Sequence, residues 1–126
     1  MKKLLLGLMT LLLSVFLYGE TVDQNGVKDG FSIRLYTQNT PIVGNNDFFV
    51  TLQKEGKDVE GAKVKIKFFM PEMPGMPYME YEDKATKTGS VYKMVINFSM
   101  GGTWQYHLKF KTSDGVIHTV RGSVNI

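Results

Sequence analysis

The chain has 126 residues, no cysteine and a formal net charge of +3, and its hydrophobic fraction is 43%. This length suits one domain, which must depend on its own core because no disulfide can form. Two of the 15 basic side chains are Lys2 and Lys3, so removing an N-terminal leader leaves 13 basic against 12 acidic side chains. With this nearly balanced charge, the chain has no large excess of positive charge that would indicate nucleic-acid binding.

The N-terminus has the pattern of a secretory signal peptide. Lys2 and Lys3 precede an apolar run from Leu4 to Leu17, which is short for a membrane span. We therefore predict a signal peptide over residues 1–19, with cleavage after Gly19 and export to the periplasm. An uncleaved membrane anchor is the alternative, and lipidation on cysteine is excluded.

Apolar and polar residues alternate along most of the remaining chain. Residues 20–30 are polar and are predicted to be a flexible lead-in to a domain over residues 31–126. Period-two alternation is typical of half-buried strands. It predicts an all-β fold, an immunoglobulin-like antiparallel β-sandwich of about seven strands. The predicted strands lie near residues 31–36, 47–53, 63–70, 79–84, 92–100, 104–111 and 116–126.

Turn-forming residues separate these segments, and no convincing helical period occurs after residue 19. Asp114-Gly115, between two alternating runs, is the strongest hairpin signal. The other predicted turns are Gly44-Asn45-Asn46, Glu55-Gly56-Lys57, Thr88-Gly89 and Gly101-Gly102.

Four of the eight methionines lie in one proline- and glycine-rich stretch, at positions three residues apart: Met70, Met73, Met76 and Met79. Thioether sulfur is a soft ligand that suits Cu(I) and, by the same logic, Ag(I). In an oxidising compartment thiolates would form disulfides, whereas thioethers would not. The four methionines are therefore the predicted metal ligands.

Spacing alone does not make this stretch a metal site. In a polyproline II conformation, three residues would rise about 9 Å and hold neighbouring sulfurs apart. Pro74-Gly75 instead suits a type II turn, which would bring the Cα atoms of Met73 and Met76 within about 7 Å. Partner docking and plain core packing remain alternative roles, because methionine serves both.

Other candidate ligands have weaker support. Met100 precedes a Gly-Gly pair and Trp104, and His107 and His118 are the two histidines of the chain. His107 falls on the polar parity of its strand, whereas His118 shares the parity of neighbouring valines. Strand parity predicts that Trp104 and Met94 are core residues.

No catalytic constellation is apparent. The chain has no cysteine nucleophile, no G-x-S-x-G motif and no paired histidine motif. With two histidines and no cysteine, neither a catalytic zinc site nor a blue-copper site is expected. We therefore expect a protein that is not an enzyme.

Four segments form an ordered set of motifs along the chain: Gly61-Ala62-Lys63-Val64, Phe69-Met70-Pro71-Glu72-Met73, Gly89-Ser90-Val91-Tyr92 and Phe98-Ser99-Met100-Gly101-Gly102-Thr103-Trp104. With these motifs the sequence resembles the YtkA-like/FixH-like family of small exported or membrane-anchored β-sandwich domains, over roughly residues 33–124. The resemblance implies the sandwich fold. Family members commonly carry a histidine in the methionine loop, where this chain has Gly75 and Pro77.

Two functions follow as hypotheses. The first is a periplasmic copper chaperone or buffer, which holds Cu(I) through the methionine loop and passes it to an efflux system or a cuproenzyme. The second is an interaction module without metal, which docks on a membrane complex through the same apolar loop.

Overall fold

Ten strands form the part of the chain that the computed structural model describes, residues 21–126. The predicted signal peptide lies outside these residues. Within them, no helix is long and apolar enough to cross a membrane. The strands are β1 (Asp23–Lys28), β2 (Phe31–Tyr36), β3 (Gly44–Lys54), β4 (Lys57–Asp58), β5 (Lys63–Met70), β6 (Met79–Lys84), β7 (Thr86–Thr88), β8 (Val91–Phe98), β9 (Thr103–Lys111) and β10 (Ile117–Asn125).

The strands pair antiparallel in two sheets. The first has the order β1-β2-β3-β8-β7, with β4 added to β3, and the second has the order β10-β9-β5-β6. The chain crosses between sheets after β4, β6 and β8, as in the Greek-key connections of immunoglobulin-like sandwiches. The predicted all-β sandwich is therefore confirmed, with three strands more than the alternation alone suggested.

Alternate residues of the long strands point into a continuous apolar core. In β5, for example, Val64, Ile66 and Phe68 are buried, whereas Lys63 and Lys65 between them are exposed. The same alternation buries Trp104 and Met94, as their parity predicts. Nineteen hydrophobic side chains from both sheets form this core. Burial on one face of each sheet is the main force that sets the strand register.

The structure corrects the prediction of a flexible lead-in over residues 20–30. Residues 23–28 form β1, which pairs along its whole length with β2 from Asp23↔Tyr36 to Lys28↔Phe31. β1 has little apolar alternation, so the hydrophobic pattern did not reveal it. The missed signal was Asp29-Gly30, whose φ angles of 53° and 83° are those of a two-residue hairpin turn.

The predicted turns differ in outcome. Turns occur at Glu55-Gly56, Gly89-Ser90 and Ser113-Asp114, close to the predicted positions. The segment from Gly44 to Asn46 is instead the start of β3. Asn46 stabilises the preceding loop, because its side-chain amide bonds the N–H and the C=O of Ile42 at 2.8 and 2.7 Å.

Candidate metal centre at the methionine end

The loop between β5 and β6 folds back as a second, smaller hairpin. Met73 N–H donates to the carbonyl of Met76 at 3.0 Å, and Met76 N–H donates to the carbonyl of Met73 at 2.8 Å. Gly75 has a φ of 79°, which the third position of a type II turn requires. The predicted turn is therefore present.

The hairpin places the four loop methionines in two opposed pairs. Met70 and Met79 are directly opposite at the end of the β5–β6 ladder, and Met73 and Met76 are opposite at the tip. Directly opposed residues of an antiparallel pair project to the same face, with Cβ atoms about 4.5–5.5 Å apart. Each pair can therefore present two thioethers to one side of the hairpin.

The four side chains differ in burial. Met70 is only 3% exposed and belongs to the core, as its parity in β5 predicts. Met76 and Met79 are partly buried and pack against the core. Met73 is 46% exposed at the tip. The segment therefore combines a packing methionine with three that reach the surface.

The loop between β8 and β9 closes over the same end of the sandwich. Ser99 Oγ donates to the sulfur of Met79 at 3.5 Å. A Cβ on Gly102 would lie 3.1 Å from the Cε of Met70, so this glycine leaves room for the methionine. Met100 lies in this loop, partly buried against the core, after β8 ends at Phe98. Sequence reasoning missed Ser99 and Gly102 because only tertiary packing brings them to the hairpin.

The indole of Trp104 holds this loop in place. It is 1% exposed, and its N–H donates to the carbonyl of Met100 at 3.1 Å. Its ring also packs against Phe98, with centroids 5.3 Å apart. The buried Trp104 therefore anchors the loop that carries Met100. We define the methionine end as Met70, Met73, Met76, Met79 and Met100.

The side chains at this end fit a soft cation by their donor chemistry. The thioether sulfurs of the methionine end carry no charge and need not lose a proton before binding Cu(I). The Ser99–Met79 contact shows a sulfur whose lone pair accepts a hydrogen bond at the protein surface. Among residues 21–126 no three His, Asp or Glu side chains cluster as a harder metal would require.

Neither histidine joins the methionine end. His107 is half-buried on the outer face of the second sheet, where its ring meets Phe69 edge to face at 5.0 Å. His118 is opposite Phe110, which is opposite Val64, six residues before Met70 along β5. That separation corresponds to about 20 Å along the sandwich. The structure thus places His118 at the far end from the loop.

His118 instead belongs to a structural cluster. It is 7% exposed and stacks on Phe110, with centroids 4.8 Å apart. Its Nδ1–H donates to the carboxylate of Asp29 at 2.7 Å, and its Nε2 is 3.5 Å from the hydroxyl of Thr112. The histidine therefore ties the β1–β2 turn to β10.

The positive φ of Gly75 provides a test of the turn. Nothing lies within 4 Å of a Cβ built on Gly75, so only its positive φ opposes a side chain. We expect Gly75→Val to lower the free energy of unfolding by about 1–2 kcal/mol, the cost of a left-handed conformation for an L residue. Gly75→Asn should cost less, because asparagine tolerates this region. Urea unfolding measures both, and equal losses in the two variants would contradict the proposed turn.

The Asp29–His118 contact predicts a pH dependence of stability. The hydrogen bond from His118 lowers the pKa of the Asp29 carboxyl below its ordinary 3.8. Its stabilising effect is therefore complete above that value and is lost as the pH falls through the lower folded-state pKa. Asp29→Asn, which tolerates the φ of 53°, should be less stable than the parent at pH 7.

Urea unfolding between pH 7 and pH 2 measures this dependence. The stability gap between Asp29→Asn and the parent should begin to narrow below about pH 3.8 and should go on narrowing as the pH falls through the lower folded-state pKa of the parent carboxyl. Glu72→Gln, in the exposed loop, is the control and should show no such narrowing. A gap independent of pH would contradict the role given to the carboxylate.

Comparisons with known proteins identify the family of the chain. Neither the curated proteins nor the solved structures gave a match. The YtkA-like family profile matches residues 26–109, which runs from within β1 to late in β9 and includes the methionine hairpin. This match covers well over half of the chain, and the chain therefore belongs to the YtkA-like family.

Proposed function

We propose that the protein is an exported, periplasmic copper-binding protein that acts in copper resistance or homeostasis as a chaperone or buffer. In this proposal the thioethers of the methionine end hold Cu(I), with Ag(I) as a surrogate, and the ion passes to an efflux system or a cuproenzyme. The observation that carries the proposal is the turn at Pro74-Gly75, which opposes Met73 and Met76 at the tip of the hairpin.

The exposure of the tip supports transfer rather than permanent storage. Met73 is 46% exposed, whereas Met70 is buried. An ion held at the tip remains open to ligands from a partner, so it can move by stepwise exchange of thioethers. Copper is then the cargo of the protein. The proposed role needs no catalytic group.

The amino-acid sequence supports the same proposal. The leader predicts export, and the chain resembles CrdA, a small periplasmic copper-resistance determinant, in length, leader and methionine loop. The resemblance to CrdA is part of the proposal, whereas membership of the YtkA-like family is established by the profile match.

Competition for Cu(I) tests the proposal. The mature protein is titrated anaerobically against a chromogenic Cu(I) chelator, and so is the Met73→Leu/Met76→Leu variant. We expect the variant to lose affinity at least about tenfold, because even outer-shell partners of metal ligands contribute that much. Leucine preserves the apolar volume at both positions, so folding should be unaffected.

Met94→Leu is the matched control. It removes one methionine from the core, where Met94 is 1% exposed, and leaves the methionine end unchanged. Its Cu(I) affinity should equal that of the parent. The proposal fails if the Met73→Leu/Met76→Leu variant holds Cu(I) as tightly as the control.

The same hairpin supports a second candidate function, an interaction module without metal. Met73 and Tyr78 are 46% and 47% exposed, so the tip presents apolar surface to solvent. Such surface suits docking on a membrane complex. A partner that co-purifies without metal would favour this function over copper transfer.

A further inference from the structure

Seven cationic side chains share the outer face of the second sheet. Alternate residues of β5, Lys63, Lys65 and Lys67, point away from the core because the residues between them are buried. Their cross-strand partners project to the same face. We call this set the basic face; its members are Lys63, Lys65, Lys67, Lys84, Lys109, Lys111 and Arg121.

The strand register sets lysines directly opposite one another. Lys63 is opposite Lys111, and Lys65 lies between Lys109 on one side and Lys84 on the other. Like charges directly opposite in a sheet are destabilising. None of the seven members forms a salt bridge within residues 21–126. The register therefore imposes a repulsion that the rest of the described chain does not neutralise.

The charge is segregated, although the chain as a whole is nearly balanced. The basic face holds seven of the 13 lysine and arginine residues that remain without Lys2 and Lys3. Among residues 21–126, the carboxylates in register on this face are Glu80 and Glu82, both on the edge strand β6.

His107 lies between two members of the basic face, opposite Arg121 on one side and Lys67 on the other. Burial lowers the pKa of His107, and the nearby charges of Arg121, Lys67 and Lys109 lower it further. The direction of this shift agrees with the cationic neighbours that the strand register gives His107.

A groove runs along one side of the basic face. Its volume is about 580 Å³, and five of the seven cationic side chains line it together with Lys87. Apolar atoms of Val64, Ala85, Tyr92 and Ile117 also line the groove. A ligand that fits this surface carries several negative charges and some apolar surface.

We propose that the basic face docks an extended acidic segment of a partner protein. Lysines at alternate positions of β5 stand about 6.6 Å apart, the same spacing as alternate residues of an extended peptide. A segment with a carboxylate at every second residue therefore matches the spacing of Lys63, Lys65 and Lys67 along β5. Binding would also relieve the repulsion between the opposed lysines. This surface is separate from the methionine end, and the proposal holds with or without copper binding.

Two carboxylates argue against an anionic bilayer as the occupant. A membrane lying flat on this face would also press on Glu80 and Glu82, whose charges its phosphates would repel. A linear segment lying over β5 and β9 avoids that edge.

Peptide binding tests the proposal. The probe is a fluorescent twelve-residue peptide of alternating glutamate and threonine, with the glutamine–threonine peptide as its neutral counterpart. Fluorescence anisotropy of the full mature protein should show binding of the acidic peptide only, and added salt should weaken it. The test variant is Lys65→Gln/Lys109→Gln, which neutralises the central opposed pair. Its affinity should fall about tenfold, a change within the usual range for two exposed ion pairs.

Lys54→Gln/Lys57→Gln is the matched control, since it neutralises a directly opposed lysine pair on the other sheet. It should bind the acidic peptide like the parent. Without peptide, Lys65→Gln/Lys109→Gln should unfold at a higher temperature than the parent, which also establishes that the variant is folded. Equal affinity of the two double variants would overturn the proposal. Binding to phosphatidylglycerol vesicles without binding to the acidic peptide would overturn it as well.

Discussion

Replacing Phe68 by alanine should lower the free energy of unfolding by about 3–5 kcal/mol, the usual cost of removing a buried phenylalanine. Phe68 is 0% exposed, and its ring contacts Phe48, Phe98 and Tyr106 with centroids 5.0, 5.1 and 5.6 Å away. These neighbours come from three other strands across both sheets. The cavity would therefore open between the sheets, where no single side chain can move to fill it. Because a domain is typically stable by about 5–15 kcal/mol, the variant should lose a large fraction of the parent's stability.

Phe69 provides a control in the next position. It points to the outer face and is half-buried against His107 and Tyr78. Phe69→Ala should cost much less than Phe68→Ala, since it leaves no enclosed cavity. Urea unfolding of the parent and the two variants measures the difference. Equal losses would mean that β5 does not have the register described above.

Gly122→Ala should destabilise the fold by about 1–3 kcal/mol, as expected for overpacking a filled core. Gly122 lies opposite Tyr106 in the β9–β10 ladder, and the tyrosine ring covers it. An added Cβ would stand 2.5 Å from Cζ of Tyr106, so the ring must move. Movement would also disturb the hydrogen bond of 2.5 Å from Tyr106 Oη to Gln24 of β1. Together with the hydrogen bond of 2.8 Å from the Gln24 side-chain amide to the carbonyl of Ser123, this contact joins an edge strand of the first sheet to the second sheet.

A double-mutant cycle with Tyr106→Leu tests whether the tyrosine ring causes the destabilisation by Gly122→Ala. In the Tyr106→Leu background no ring covers Gly122, so Gly122→Ala should cost clearly less than in the parent. Thermal or urea unfolding of the four proteins gives the coupling. Additive losses would show that the effect comes from the backbone of β10 and not from the ring.

The sandwich was predictable because its signal is local. In β2, β5, β8 and β9 the apolar residues recur with period two, and the structure buries those residues. β1 lacked that signal. It is held by main-chain pairing with β2 and by the ion pair of Asp23 with Arg34 at 2.9 Å, and neither depends on apolar alternation. Only the Asp29-Gly30 dipeptide could have indicated a hairpin there.

The candidate site also has one feature that the local sequence predicts and others that depend on tertiary packing. The turn between Met73 and Met76 depends on two central residues, Pro74 and Gly75, and was predicted from them. The contact of Ser99 with Met79, and the space that Gly102 leaves for Met70, depend on how the β8–β9 loop meets the β5–β6 hairpin. No local sequence pattern predicts the contact between this loop and this hairpin.

The sequence by itself determined the all-β class, most strand positions and the turn at the tip of the methionine hairpin. These follow from the alternation of side chains along a strand and from the φ preferences of proline and glycine, both short-range effects. Only the tertiary structure decided that the loop carrying Met100 packs against the methionine hairpin and that His118 lies at the far end. It alone also decided that lysines from three strands converge on one face. The reason is that strand order and register pair residues distant in the chain, and burial of the whole core selects that pairing.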